Sequence, residues 1–189
     1  MRFHHESPVK ARILVSRCLL GVACRFDGQS KPSPHLPLLP ANWTQLDVCP
    51  EADLGMGTPR PPIGLWLEQS HLRLVECNGT RDWTGEMASW CQFLARIVLG
   101  DGVCGAVLKA RSPSCGRGDV AIFGERAHMR WPDPPEAALH HHGDGMLVQA
   151  LRHLDPRFPI LKDEELGDEA LRLAFVQAVE ARISLSARG

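Results

Sequence analysis

The chain has 189 residues, enough for one domain with a sizeable core. Charged residues make up 23% of it and the formal net charge is -1, so no electrostatic case exists for a nucleic-acid backbone or an anionic membrane as main partner. A small ligand is the better expectation.

The start, MRFHHESPVKARILV, has no apolar core of signal-peptide length, and no later run approaches the ~18 apolar residues of a membrane span. A soluble, cytoplasmic protein is therefore expected, of an oligomeric state the sequence does not specify. Seven cysteines, an odd number without an export signal, argue against a disulfide framework and for thiols in ligation, catalysis or simple burial.

In chain order, ARILVSR at 11–17 reads as a strand that ends in the loop CLLGVACRFDG. KPSPHLPLLPAN is proline-broken and reads as irregular, with room for one short helical turn. LDVCPE is a brief strand stopped by Pro50, and GMGTPRPP is a loop suited to holding Arg60 in a defined direction. LRLVE at 72–76 reads as an edge strand or hairpin arm. From Trp83 the period becomes helical, with Met87, Trp90, Cys91, Leu94, Ile97 and Val98 on one face, until Gly100 and Gly102. GAVLKA at 105–110 is a continuous apolar strand of a doubly covered parallel sheet, and RSPSCG follows. AIFGERAHMRW reads as a weak hairpin or arm, and PDPPEAALHHH as loop. GDGMLVQALRHL reads as a helix entered through glycine, and residues 161–189 as an amphipathic C-terminal helix. Strands alternating with helices predict a single α/β domain over 1–189, a three-layer sandwich with a mainly parallel central sheet. Its chemistry is expected at the carboxyl ends of the strands.

Three thiols fall at three such ends: Cys18 after ILVSR, Cys49 after LDV and Cys115 beyond GAVLKA. If those strands are parallel neighbours, their sulfurs converge on an incomplete zinc site or a three-cysteine iron–sulfur site. Cys24 is a fourth ligand, an active-site thiol or a loop thiol, whereas Cys77, Cys91 and Cys104 are expected to be structural. Arg25 and Asp27, Glu51, and Lys109 and Ser112 flank the thiols. Glu51 is suited to moving protons, Ser112 to hydrogen-bonding a substrate or relaying a proton, and Lys109 and Arg60 to neutralising developing negative charge. Pro113 and Gly116 would turn Ser112, Ser114 and Cys115 into one pocket. Trp66 and Phe26 are candidates for stacking on a base. The internal histidines at 140–142 read as a solvated loop. A zinc deaminase is disfavoured, because the HxE and PCxxC arrangement is missing.

Together SRCLLGVACRFDG, DVCPEADLGMGTPRPPI, RDWTGEM and LKARSPSCGRG resemble, in order and spacing, the bacterial thiouracil desulfidase family. The likeness covers roughly residues 11–120 well and extends to about 160; GDGMLVQALR looks like the family's closing helix. ILKDEELGDEALRLAFVQAVEAR resembles the segment that precedes an extra domain in longer members. The resemblance implies non-redox removal of sulfur from thiolated pyrimidines at a [4Fe-4S] cluster. It assigns Cys18, Cys49 and Cys115 as ligands and Glu51 and Ser112 as catalytic side chains. Cys24, Arg25, Asp27, Arg60, Lys109 and Ser114 are then expected around the substrate. The competing readings are a persulfide transferase using Cys24 or Cys115 and a metal-stiffened binding module.

Overall fold

The computed structural model describes residues 10–124 and 139–186. Strand β1 (Arg12–Ser16) runs into a 3-10 turn, Arg17–Leu20. After a second turn at Leu36–Leu38, β2 (Thr44–Val48) runs into the one-turn helix α1 (Pro50–Asp53). A hairpin follows, β3 (Ile63–Glu68) and β4 (His71–Glu76), then helix α2 (Thr84–Gly100). Next come β5 (Gly105–Leu108), β6 (Val120–Phe123), β7 (Leu139–Gly143) and helix α3 (Met146–Leu154). The chain closes with β8 (Ile160–Lys162), a 3-10 turn Asp163–Gly167, and helix α4 (Glu169–Ser186).

The central sheet has the order β2-β1-β5-β8, parallel throughout. Its registers place Ser16 beside Val48 and Val15 beside Val107, so β1, β2 and β5 end near one level. Both faces are covered, which is why GAVL is apolar at every position. Ile13, Val15, Val107 and Leu161 pack with Phe175 and Val179 of α4. Leu14, Ala106, Leu108 and Ile160 pack on the other side with Met87, Cys91, Ala95 and Val98 of α2 and with Leu147 and Leu151 of α3. Gly105 lets α4 lie directly on β5: a Cβ there would stand 2.7 Å from Val179 Cγ2 and 3.2 Å from the Phe175 ring.

The α/β architecture with a mainly parallel central sheet is thus the expected one. A second sheet, β4-β3-β6-β7, was not expected; its Ile63, Leu65 and Ile122 join the α2–α3 side of the core. LRLVE is β4, the edge strand of a hairpin, as its pattern indicates. Two segments differ from the sequence reading. His140–His142 lie in strand β7 rather than a loop, because β6 supplies an antiparallel partner, Ile122 opposite His141. Residues 160–167 are a strand and a 3-10 turn rather than the start of the last helix, because β5 captures Ile160–Lys162. The arm expected at 125–131 and the loop at 132–138 lie outside the described residues. Among the described residues no helix is long and apolar enough to cross a membrane.

The chain leaves β2 at one edge, passes through the β3–β4 hairpin and α2, and re-enters the sheet on the opposite side of β1 as β5. The carboxyl ends of β1 and β5 therefore flank a topological switch point, where open parallel sheets leave a crevice for ligands.

Candidate active site

A cavity of about 480 Å³ opens at that switch point, and Cys18, Cys24, Cys49 and Cys115 all border it. Cys18 sits in the turn after β1, Cys49 caps α1 directly after β2, and Cys115 lies in the loop after β5. The first two turns are clamped together. Arg17 bonds Asp47, and its Nη1 donates to Asp53 Oδ1 at 2.6 Å, while Asp53 Oδ2 accepts the Cys49 N–H at 3.1 Å. Cys77 is buried beyond β4, Cys91 in the α2 core and Cys104 under α4, the structural placements expected of them.

Glu51 projects from α1 into the cavity wall and is held at both oxygens. Arg60 Nε and Nη2 donate to Oε2 at 2.9 and 2.7 Å, and Ser114 Oγ donates to Oε1 at 2.9 Å. Arg60 also donates from Nη1 to the carbonyls of Cys24 and Gly57, at 3.0 and 2.7 Å, and to Thr58 Oγ1. Its side chain is 3% exposed. Arg60 is therefore a brace that fixes Glu51 and the Cys24 backbone, not a cation free to meet a substrate. Ser114 is 0% exposed and likewise positions Glu51 rather than facing the cavity.

Ser112 does border the cavity. Its Oγ accepts the Ser114 and Cys115 N–H groups at 3.3 and 3.2 Å, which closes the turn and leaves the hydroxyl proton for a ligand. Helix α3 seats this turn from behind: Met146 and Leu147 donate their N–H groups to the Pro113 and Ser114 carbonyls at 3.0 and 2.9 Å. The approach requires glycine at its N-cap. A Cβ on Gly145 would lie 2.8 Å from Pro113 O and 2.9 Å from Ser112 O.

Among the described residues six basic side chains border the cavity, Arg17, Arg25, Lys31, Arg60, Lys109 and Arg111, and one carboxylate, Glu51. Five of the six are paired with carboxylates, Arg17 with Asp47 and Asp53, Arg25 with Asp27, Arg60 with Glu51, Lys109 with Asp163 and Arg111 with Glu164, so their positive charge is largely compensated. Asp27 lies off the cavity and acts through Arg25, whose Nε and Nη2 it accepts at 3.2 and 3.0 Å. Trp66 is 2% exposed and is not a wall for a ligand. Phe123, its ring 5.0 Å from that of Trp66, borders the cavity together with Phe26. Sequence reasoning passed over Ser16. This buried hydroxyl accepts the Lys109 N–H at 3.0 Å and bonds the Cys115 thiol; its place at the end of ILVS, two residues before Cys18, was the available signal. It also passed over Asp163, whose Oδ1 accepts the Ala110 N–H at 2.7 Å.

The thiols sense one another. Burial pushes Cys18 up to about 11 and the charge of Cys49 adds to it, while Lys109 opposes. Burial also pushes Cys24 up to about 12, helped by the charge of Cys49 and a side-chain hydrogen bond with it. Cys115 is raised well above the ordinary thiol value by burial, against the Ser16 bond and with the charges of Cys49, Glu51 and Cys18. These are soft donors crowded in a dry place, a poor state for free thiolates and a good one for thiolates neutralised by iron. Among the described residues no three His, Cys, Asp or Glu side chains are gathered closely enough for a single metal ion. Cys18, Cys24, Cys49 and Cys115 border one cavity, and thiolates are the donors that iron–sulfur clusters take.

Against that geometry, a family model described as 2-thiouracil desulfurase matches residues 13–163. The chain belongs to the 2-thiouracil desulfurase family. A curated relative, the uncharacterized protein YbbK of Bacillus subtilis (strain 168), is 30% identical over 116 residues, 57% of this chain and 75% of that protein. A solved structure of the [4Fe-4S]-dependent thiouracil desulfidase TudS is 33% identical and matches with a TM-score of 0.65, covering 88% of this chain and 100% of that one. The family match ends at Asp163, so it takes in all four thiols, Glu51, Arg60 and the Ser112–Ser114 turn.

Proposed function

We propose that this desulfurase-family chain removes sulfur from thiolated pyrimidines at a [4Fe-4S] cluster held by Cys18, Cys49 and Cys115, without net redox chemistry. One observation carries the reading: three thiols from the ends of three adjacent parallel strands border one cavity with a doubly anchored carboxylate. A cluster bound through three thiolates supplies an iron without a protein thiolate, a soft Lewis acid for a thiocarbonyl sulfur.

The protein's own groups do the rest. Glu51 accepts a proton from the water that adds to the thiocarbonyl carbon, with Arg60 and Ser114 holding its two oxygens in place. Ser112 donates its hydroxyl to the ring, and Phe26 and Phe123 flank the ring's faces. Lys109, with Arg25 kept in line by Asp27, stabilises negative charge as the carbon–sulfur bond breaks. Cys24 lines the substrate side of the cavity beside Cys49. A carbon–oxygen bond replaces the carbon–sulfur bond, water supplies the oxygen, and hydrosulfide and a proton leave, so no electron donor or acceptor is required. The partner is a small thiolated pyrimidine, met in the cytoplasm.

The test is anaerobic reconstitution with iron and sulfide, with bound iron, acid-labile sulfide and the visible spectrum read beside a Cys115→Ala variant. A cluster in the parent that is lost in the variant supports the ligand set. Zinc, or free thiols only, in the reconstituted parent rejects it.

A further inference from the structure

The stretch Asp163-Glu164-Glu165 follows β8 directly, so it stands at the carboxyl end of the fourth parallel strand, next to β5. Each of its three acids meets a different base of the loop that carries Ser112, Ser114 and Cys115. Asp163 pairs with Lys109, Glu164 with Arg111 and Glu165 with Arg117. The three pairs are not equivalent. Arg111 and Glu164 are 67% and 47% exposed, whereas Lys109 and Asp163 are 15% and 10% exposed; exposed pairs contribute little and buried ones cannot be broken cheaply.

Asp163 also does what its two neighbours do not. Its Oδ1 accepts the Ala110 N–H at 2.7 Å and lies 3.4 Å from Lys109 Nζ, and its Oδ2 lies 3.3 Å from the same ammonium. One carboxylate thus fixes both the backbone where the chain leaves β5 and the cation that borders the cavity. The next residue, Arg111, turns back at φ 60, a left-handed conformation that a non-glycine residue keeps only when its surroundings enforce it. Lys109 borders the same cavity as Cys18, Cys49 and Cys115, and Asp163 holds it there.

We propose that Asp163 is a positioning residue for the reaction: it aims the Lys109 ammonium into the cavity and holds the exit of β5, so that the Ser112–Cys115 turn keeps its place. This rests on the desulfidase reading for its catalytic part. The bracing part stands on the contacts alone.

The experiment therefore reads both. Asp163→Asn keeps an oxygen for the Ala110 N–H but removes the charge that holds Lys109; Asp163→Ala removes both. Amide hydrogen exchange over 109–117 is expected to be unchanged in Asp163→Asn and at least tenfold faster in Asp163→Ala. Equal exchange in all three proteins overturns the proposal whatever the enzyme does. In the reconstituted enzyme, assayed below the Tm of every variant, kcat/KM for a thiouracil is expected to fall about tenfold or more in Asp163→Asn, with bound iron retained and Tm lowered because Lys109 is left buried without its counter-charge, and Glu164→Gln is expected to change nothing. Adding Lys109→Met to Asp163→Asn is expected to cost less than a further twofold, because the two residues act as one. Full activity in Asp163→Asn, or losses that multiply in the double variant, overturn the catalytic part.

Discussion

Replacing Arg60 with methionine keeps much of its length and removes every charged bond it makes. The guanidinium is 3% exposed and its Glu51 partner 13% exposed, so water replaces the lost donors poorly. Breaking a buried pair from one side costs about 3–5 kcal/mol. The Cys24 and Gly57 carbonyls lose their Arg60 bonds as well, so the upper half of that range is expected. For a chain of this size each kcal/mol moves Tm by about 2–4 °C, which predicts a fall of about 8–20 °C in a calorimetric or circular-dichroism melt. Arg60→Lys keeps the charge but not the fork that bonds Glu51 through two nitrogens, so its Tm is expected between parent and methionine variant. Desulfidation is expected to be lost in Arg60→Met below its Tm, since Glu51 is then held by Ser114 alone. An Arg60→Met protein that melts within 2 °C, as a rough bound, of the parent refutes the brace.

Gly145→Ala brings a methyl to within 2.9 Å of the Ser112 and Pro113 carbonyl oxygens. Overpacking of this kind costs about 1–3 kcal/mol, and the melt should show it together with reduced turnover, because the displaced atoms belong to the Ser112–Cys115 turn. Single serine substitutions at Cys18, Cys49 and Cys115 are each expected to lower bound iron after reconstitution, whereas Cys91→Ala and Cys104→Ala keep it and lose only stability. In the metal-free chain, burial raises the Cys18 pKa from 9.0 to about 11. The folded state therefore holds that proton more tightly than the unfolded state, and the stabilisation is complete below about pH 9 and lost as pH rises through about 11. Urea midpoints of the metal-free protein should fall across that interval, and less steeply in Cys18→Ala.

Much of this site is legible without coordinates because strands announce their ends. ILVSR, LDV and GAVLKA are short apolar runs, and a thiol after each is a local feature of the sequence. That the three strands are neighbours in one parallel sheet is only a condition in the sequence, and the pairing of β1 with both β2 and β5 meets it. What is not legible is which polar groups serve one another. Ser114 and Ser112 differ by two positions in one loop, yet one lies under Glu51 and the other faces the cavity, a difference set by α3 docking through Gly145. Arg60 reads equally well as a substrate clamp until Glu51 is seen between it and Ser114. Asp163 was hidden because β8 has three residues and owes its extended form to β5 rather than to its own propensity. The β7 histidines read as loop for the same reason: pairing with β6 decides their conformation, and polar residues on an exposed face carry no strand signal.

Hydrosulfide released from 2-thiouracil, 4-thiouracil and 4-thiouridine under anaerobic conditions, by the reconstituted and the metal-free protein side by side, tests the central claim most directly. The account predicts release matched by the corresponding oxo-pyrimidine, dependent on the cluster, with no added reductant. Release by the metal-free protein, or a loaded cluster that leaves all three compounds intact, would contradict it.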